Sequence, residues 1–108
     1  MATAILIPAY EPDEKLIKLV KELKEKNFEI LIVDDGSGEK YSGIFAACEP
    51  FAKVIGYSLT AGKGVALKYG MNYIKDNMSE CDSFITADSD GQHSVADILR
   101  TRGELSIG

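Results

Sequence analysis

The chain has 108 residues, of which 45% are hydrophobic and 27% are charged, and its formal net charge is −5 at pH 7. This composition excludes a disordered chain, and the length allows one domain with a single core, near the lower end for an enzyme with two substrates. The negative charge argues against a nucleic-acid partner, because that affinity comes from clustered lysines and arginines and the lysines here are scattered.

The two cysteines and the lengths of the apolar stretches indicate the cellular compartment in which the chain functions. Cys48 and Cys81 lie far apart without Cys-x-x-Cys spacing, so we expect two buried free thiols in a reducing compartment. The chain opens without a basic region, and no segment reaches the roughly 20 apolar residues that a membrane helix needs. These observations predict a cytoplasmic location, without a visible signal peptide.

Apolar runs alternate with helical patterns along the chain. The runs predict strands over residues 4–7, 28–33, 53–57 and 83–87. Helices are predicted to begin near Pro12, near Tyr41, after Gly62 and near Val95. Such alternation predicts an α/β protein with three layers, a Rossmann-like arrangement in which helices cover both faces of a mostly parallel four-stranded sheet.

The helix after Gly62 has an inner stripe at helical spacing, and its tyrosines are expected in the core rather than in contact with a ligand. The residues of this stripe are Ala66, Tyr69, Gly70, Tyr73 and Ile74.

Two carboxylates follow the fourth predicted strand. Asp88 and Asp90 project on the same side if the backbone stays extended, so two hard oxygen donors face one point. Gly91 permits a sharp turn that brings Gln92 and His93 toward that point, and nucleotide phosphates could complete an octahedral Mg²⁺ or Mn²⁺ site. The alternative is an acidic turn that caps the next helix. For His93 we expect a capping or indirect role.

A second acidic turn, Asp34 to Ser37, follows the second predicted strand. Only one of the consecutive carboxylates, Asp34 or Asp35, can face a pocket, and the other should turn toward backbone amides. The turn predicts a positive φ at Gly36 and a helix cap at Ser37. A carboxylate here could also accept hydrogen bonds from a nucleobase imide or a ribose hydroxyl.

A basic glycine turn, Gly62-Lys63-Gly64, stands at a predicted helix start, where backbone amides and an ammonium group could hold an anion. Its spacing is not that of a Walker P-loop, because five residues separate Gly56 from Gly62 and Gly64 replaces the Ser or Thr that would hold magnesium. Ligands of parallel sheets bind beyond the carboxyl ends of the strands. That rule brings this turn together with the two acidic turns.

Four motifs together resemble the family 2 glycosyltransferases, most of all the dolichyl-phosphate mannosyltransferase and undecaprenyl-phosphate glucosyltransferase type. They are Ile7-Pro8-Ala9-Tyr10, Val33-Asp34-Asp35-Gly36-Ser37, Gly62-Lys63-Gly64-Val65-Ala66-Leu67 and Ala87-Asp88-Ser89-Asp90-Gly91-Gln92-His93. The resemblance implies the nucleotide-binding half of a GT-A fold, a UDP- or GDP-sugar donor and a divalent metal, Mg²⁺ or Mn²⁺. It implies sugar transfer to an acceptor such as a polyprenyl phosphate or a glycan.

The resemblance also assigns roles to particular residues. Those assigned to the donor nucleotide are Pro8, Tyr10, Glu11, Asp34, Asp35, Lys63, Asp88 and Ser89. Those assigned to the metal are Asp88, Asp90 and Gln92. In this reading Asp35, or else Asp34, holds the base, and Asp90 ligates the metal that bridges the diphosphate.

The chain departs from the family pattern at Glu11-Pro12, where Asn-Glu is common, and at Thr60, where Asn is usual. The family's acceptor half and catalytic acidic residue lie beyond the equivalent of Gly108, so no catalytic residue is expected in this chain. We therefore expect a donor-binding domain over residues 1–100, a truncated tail over residues 101–108 and no turnover by the chain alone.

Further expectations concern assembly and the class of protein. A sheet lacking its acceptor half would expose an edge, which predicts a homo-oligomer, and a longer natural form could associate with a membrane. One alternative is a non-catalytic nucleotide or nucleotide-sugar binding module. The other is a receiver-type, magnesium-dependent signalling domain, which also gathers acids at the ends of parallel strands.

Overall fold

The computed structural model describes residues 2–89, which form four strands and three α-helices. The strands are β1 (Ala2–Ala9), β2 (Glu29–Asp35), β3 (Lys53–Tyr57) and β4 (Cys81–Thr86). The helices are α1 (Glu14–Glu25), α2 (Ser42–Cys48), which follows a 3₁₀ turn (Glu39–Tyr41), and α3 (Lys63–Asn77). These elements confirm the predicted alternation, and the helix predicted near Val95 lies outside the described residues.

All four strands are parallel and lie in the order β3-β2-β1-β4. Ile7 of β1 pairs with Ile32 of β2, Ile32 pairs with Val54 of β3, and Ile5 pairs with Ile85 of β4. The predicted parallel sheet is therefore confirmed. Because parallel strands end at a common edge, the segments that follow them are neighbours.

Two hydrophobic clusters cover the two faces of the sheet. On one face Ile5 and Ile32 pack in the cluster that contains the buried residues of α1 and α2. On the other, Leu6 and Leu31 pack in the cluster that contains those of α3. The central strands β1 and β2 are thus buried on both faces, which explains their continuous apolar sequences.

Helix α1 begins where the sequence predicts, because Asp13 caps it. The Asp13 Oδ1 accepts a hydrogen bond of 2.9 Å from the backbone N–H of Lys15, satisfying one of the free donors of the first turn. Its buried side chains are Leu16, Leu19, Val20 and Leu23.

Helix α3 lies so close to the sheet that only some of the residues predicted for its inner stripe are buried. A Cβ on Gly70 would collide with Leu6 Cδ1 and would lie 3.0 Å from Val33 Cγ2. Ala66, Gly70 and Ile74 are buried, whereas Tyr73 is half-buried and Tyr69 is 40% exposed. Placing Tyr69 in the core was wrong, because there is no room for a large ring beneath a helix this close to the sheet.

Both cysteines are buried free thiols, as predicted, and burial raises the pKa of each to about 11. Between residues 2 and 89, none of the helices has the length and apolar character to cross a membrane.

Candidate functional site

A cavity of about 290 Å³ lies at the carboxyl edge of the sheet. Its lining residues are Pro8, Ala9, Tyr10, Asp35, Lys63, Asp88 and Ser89. Six of these seven were predicted as donor-site residues, and they come from four segments that are distant in sequence. We call this cavity the strand-end pocket.

Two of the predicted site residues that the structure describes are not among those that line the strand-end pocket. They are Glu11 and Asp34, each next in sequence to a lining residue, and their contacts are described below. Asp90 and Gln92 lie outside the described residues.

The end of β1 gives the pocket an aromatic wall. Pro8 is half-buried, and Tyr10 directly after the strand is 51% exposed. The neighbouring carboxylate of Glu11 is the main cause that raises the pKa of Tyr10, because a phenolate beside a carboxylate is unfavourable. The Tyr10 ring therefore remains a neutral surface at neutral pH.

A lysine and an aspartate meet across the pocket. Lys63 is the first residue of α3, and its Nζ lies 3.0 Å from Asp88 Oδ1, two residues beyond β4. The Lys63 side chain is 64% exposed and that of Asp88 is 31% exposed, so solvent screens the pair and it stabilises the fold by only about 0–1 kcal/mol. A pair this weak can separate, which would leave the Lys63 ammonium for an anionic ligand.

Asp35 is buried at the end of β2, with 4% of its surface exposed, and its carboxylate accepts four hydrogen bonds, one from the last residue of β3 and three from the loop that follows. The donors to Oδ1 are the Tyr57 hydroxyl at 2.7 Å and the Ala61 N–H at 2.8 Å. The donors to Oδ2 are the Thr60 hydroxyl at 2.9 Å and the Gly62 N–H at 3.1 Å. Asp35 therefore ties the β3–α3 loop, residues 58–62, to β2.

The same bonds set the ionisation of this cluster. Burial acts to raise the pKa of Asp35, but the hydrogen bonds from Ala61, Tyr57, Thr60 and Gly62 outweigh burial and leave that pKa below its ordinary value. Burial and the bond to Asp35 raise the pKa of Tyr57 to about 12. Around neutral pH the carboxylate is thus the acceptor and the phenol the donor.

Asp34 and Ser37 connect the turn after β2 to the loop between β1 and α1. The Ser37 N–H donates to Asp34 Oδ1 at 2.9 Å, and Ser37 Oγ accepts a bond of 2.8 Å from the Glu11 N–H. Glu11 has a φ of 48°, in the left-handed region that a non-glycine residue seldom adopts. The predicted helix cap at Ser37 was wrong: the 3₁₀ turn begins after Gly38 without a side-chain cap, because Ser37 is turned toward the β1–α1 loop.

Gly36 lets the acidic turn touch the β3–α3 loop. Its φ is 65°, as predicted for a positive-φ turn, and a Cβ there would collide with the backbone nitrogen of Thr60 and lie 2.5 Å from the carbonyl carbon of Leu59. Because both are backbone atoms, no side-chain rotation could relieve the crowding. The turn after β2 therefore contacts one flanking loop and is hydrogen-bonded to both.

The contribution of Tyr57, Thr60 and Ala61 was not foreseen from the sequence. They follow Asp35 by 22 to 26 residues, and hydroxyl groups in a loop carry no signal of their own. The strand register supplies the missing link, since Asp35 pairs with Tyr57 in neighbouring strands. Knowing that β2 and β3 are adjacent would have placed these groups together.

Only part of the predicted metal site can be described. Asp88 carries a hard oxygen donor, of the kind that Mg²⁺ and Mn²⁺ prefer, and the Lys63 ammonium beside it shows that a cationic group fits there. Within residues 2–89 no cluster of three or more His, Cys, Asp or Glu could hold a metal by itself.

Comparison with protein families identifies the class of this chain. Residues 4–105 match the sequence model described as Glycosyl transferase family 2. The chain belongs to this family, which confirms the resemblance drawn from the four motifs and removes the receiver-type alternative.

Curated relatives share the sequence of this chain over only part of their own length. An undecaprenyl-phosphate 4-deoxy-4-formamido-L-arabinose transferase of Edwardsiella ictaluri is 32% identical over 107 residues, which cover 90% of this chain and 31% of that protein. The uncharacterized protein MJ0544 of Methanocaldococcus jannaschii is 28% identical over 104 residues, covering 93% of this chain and 45% of that protein. The chain thus spans about a third to a half of these relatives.

A solved structure shows the same fold. The S. aureus TarS structure of residues 1–349 superposes with a TM-score of 0.65 and 20% sequence identity, covering 83% of this chain and 28% of that one. The predicted Rossmann-like α/β architecture is thereby confirmed.

Proposed function

We propose that this chain binds a nucleoside diphosphate sugar, a UDP- or GDP-sugar, and is the donor-binding portion of a glycosyltransferase. The observation that carries the proposal is the strand-end pocket of a family 2 member, lined from four separate segments by an aromatic ring, an ammonium group and a carboxylate. Ligands of parallel α/β sheets bind at this edge, and nucleotides need these three kinds of group.

In this proposal the residues divide the donor between them. Pro8 and Tyr10 offer an apolar and aromatic surface to the nucleoside, while Lys63, at the N-terminus of α3, offers its ammonium to the diphosphate. The positive end of the helix dipole favours an anion at the same place. Glu11 and Asp34 belong to the donor site through the loop that they shape, and Ser89 lines its rim.

The metal belongs to the same proposal. Asp88, together with Asp90 and Gln92, would hold Mg²⁺ or Mn²⁺ beside the diphosphate. When bound, such a cation would offset negative charge on the departing diphosphate. Asp88 fits this role because its carboxylate already lies next to a cationic group.

The acceptor is proposed to be a polyprenyl phosphate or a glycan, and the chain alone is proposed to bind donor without transferring the sugar. The Edwardsiella relative is an undecaprenyl-phosphate transferase by name, and this chain covers 31% of it. In addition, Asp34 accepts a hydrogen bond within its own turn and Asp35 accepts four from β3 and the β3–α3 loop, so neither is placed to deprotonate an acceptor. Measurable sugar transfer to polyprenyl phosphate by the purified chain would contradict this part.

Self-association is also proposed, because β3 and β4 form the two edges of the described sheet. Sedimentation velocity at increasing concentration should show a species heavier than the 11.7 kDa monomer. A monomer at all concentrations would contradict it.

Two lysine variants test the donor proposal. Lys63→Gln should weaken UDP or GDP binding by about 10- to 150-fold, because a charge-assisted contact of roughly 1.5–3 kcal/mol is lost. Lys53→Gln is the matched control: it makes the same charge change at the amino end of β3, beside a different cavity. Isothermal titration calorimetry gives the dissociation constant of UDP and GDP for both variants. If both substitutions weakened binding equally, the effect of Lys63 would be explained by the net charge of the protein and the donor proposal for this residue would be contradicted.

A further inference from the structure

We infer that Asp35 serves the donor site as a positioning residue, whose hydrogen bonds to Tyr57 of β3 and to three residues of the β3–α3 loop fix the point where Lys63 enters the strand-end pocket. The inference rests on the proposed function and assigns Asp35 a task beyond any direct contact with the nucleobase. It also brings Tyr57 and Thr60, which do not line the pocket, into the donor site.

The position of the bonds along the chain supports this role. Two of the four donors are the backbone N–H groups of Ala61 and Gly62, the residues immediately before Lys63. Gly62 is the N-cap of α3, has a φ of 98° and lacks a side chain, and the carboxylate of Asp35 satisfies its N–H, one of the donors that the first turn leaves free. Fixing these two peptides fixes the first turn of α3 and with it the root of the Lys63 side chain.

The acceptor capacity of the carboxylate supports it further. An ionised carboxylate has about four lone-pair sites, and Asp35 already receives four hydrogen bonds of 2.7 to 3.1 Å. A nucleobase N–H would have to displace one of these donors, which requires the loop to move. Asp35 is also 96% buried, since only 4% of its surface is exposed, so a ligand can reach its edge but not surround it.

The test separates loop positioning from base contact by using members of the cluster that do not line the strand-end pocket. Tyr57→Phe removes one donor to Oδ1, and Thr60→Val removes one donor to Oδ2 without changing side-chain shape. Tyr73→Phe is the matched control, because it deletes the same hydroxyl from a half-buried tyrosine of α3 outside the strand-end pocket. Thermal unfolding shows whether each variant is folded. Thr60 is exposed, so Thr60→Val can carry the test even if Tyr57→Phe fails to fold.

The ligands are UDP and GDP, with uridine and guanosine as the matching nucleosides, titrated by calorimetry and by NMR. Positioning predicts that Tyr57→Phe and Thr60→Val each weaken UDP and GDP by the same factor, about threefold to tenfold, with the nucleosides affected much less. In a Lys63→Gln background the same substitutions should have no further effect, because their action passes through Lys63. Tyr73→Phe should bind all four ligands like the wild type.

Base contact alone, without loop positioning, predicts a different pattern, and that pattern would overturn the inference. Asp35→Asn would then weaken uridine as much as UDP, by a factor that differs from the one for guanosine, while Tyr57→Phe would leave binding unchanged.

A ligand-independent measurement keeps the inference apart from the proposed function. If the wild type binds neither UDP nor GDP, the proposed function fails, and amide hydrogen exchange then decides the positioning role. Asp35→Asn should speed exchange at Ala61 and Gly62 at least tenfold relative to buried strand amides such as that of Ile32. Unchanged exchange at both amides would overturn the inference.

Discussion

Replacing Gly36 by alanine should detach the β3–α3 loop from the turn after β2. The new methyl group would occupy the place of the Thr60 backbone nitrogen and approach the Leu59 carbonyl carbon to 2.5 Å. Since neither atom can rotate away, the loop must shift as a whole. A shift large enough to admit a methyl group lengthens the bonds that Asp35 receives from Ala61 and Gly62.

The magnitude follows from two contributions. Alanine at a φ of 65° costs about 1–2 kcal/mol, because a Cβ is disfavoured in the left-handed region. Losing one hydrogen bond to a charged acceptor adds about 1.5–3 kcal/mol. We therefore expect Gly36→Ala to lower the free energy of unfolding by about 3–5 kcal/mol, measured by urea unfolding followed by circular dichroism.

Gly38→Ala separates strain from crowding. Gly38 also has a positive φ, of 91°, but a Cβ there would meet nothing within 4 Å. Its substitution should cost about 1–3 kcal/mol from backbone strain alone and leave the Ala61 and Gly62 amides protected from hydrogen exchange. Protection of these amides in Gly36→Ala as strong as in the wild type would refute the contact on which this reasoning depends.

Three further predictions concern acid stability, packing and thiol reactivity. Because the pKa of Asp35 is lowered in the folded state, the stabilisation by its carboxylate should be fully present above the unfolded-state pKa of about 3.9 and lost as the pH falls through the folded-state value. Asp35→Asn should therefore flatten the dependence of the unfolding free energy on acid pH, measured by urea titrations. The same pH dependence in the variant and the wild type would contradict this prediction. Gly70→Ala should destabilise the chain by about 1–3 kcal/mol, because the new methyl group collides with Leu6. Adding Leu6→Ala should recover part of that loss. If the double variant instead lost the sum of the two single losses in thermal unfolding, the contact would be contradicted. Cys48 and Cys81, buried and with pKa values raised to about 11, should react with a thiol reagent at pH 8 only on unfolding, and rapid labelling of the native chain would be inconsistent with their burial.

Much of the fold could be predicted because the physical signals are local. Continuous apolar runs such as that around Ile32 belong to strands buried on both faces, and the helix start predicted near Pro12 is where Asp13 caps α1. The pocket was predictable by the same route, since parallel strands bring their following segments together. Lys63 and Asp88, which are 25 residues apart, meet there as expected.

What could not be predicted depends on distances between elements. The exposure of Tyr69 follows from how closely α3 approaches the sheet, which the helical period does not reveal. Likewise, the partners of Asp35 and Ser37 depend on which strands are adjacent, and β2 lies between β1 and β3 only because of the sheet order. The turn from Asp34 to Ser37 was predicted as a ligand site and a helix cap. In the structure its residues also form hydrogen bonds to the β1–α1 loop and the β3–α3 loop.

The most direct test of the donor proposal is calorimetry of UDP- and GDP-sugars with the wild type and with Asp88→Asn and Asp90→Ala, in Mn²⁺ and after chelation. The proposed metal site predicts saturable binding in Mn²⁺ for at least one donor, weakened about tenfold or more by chelation and by either substitution. Binding that survives both substitutions and chelation unchanged would contradict a metal-held diphosphate at the end of β4.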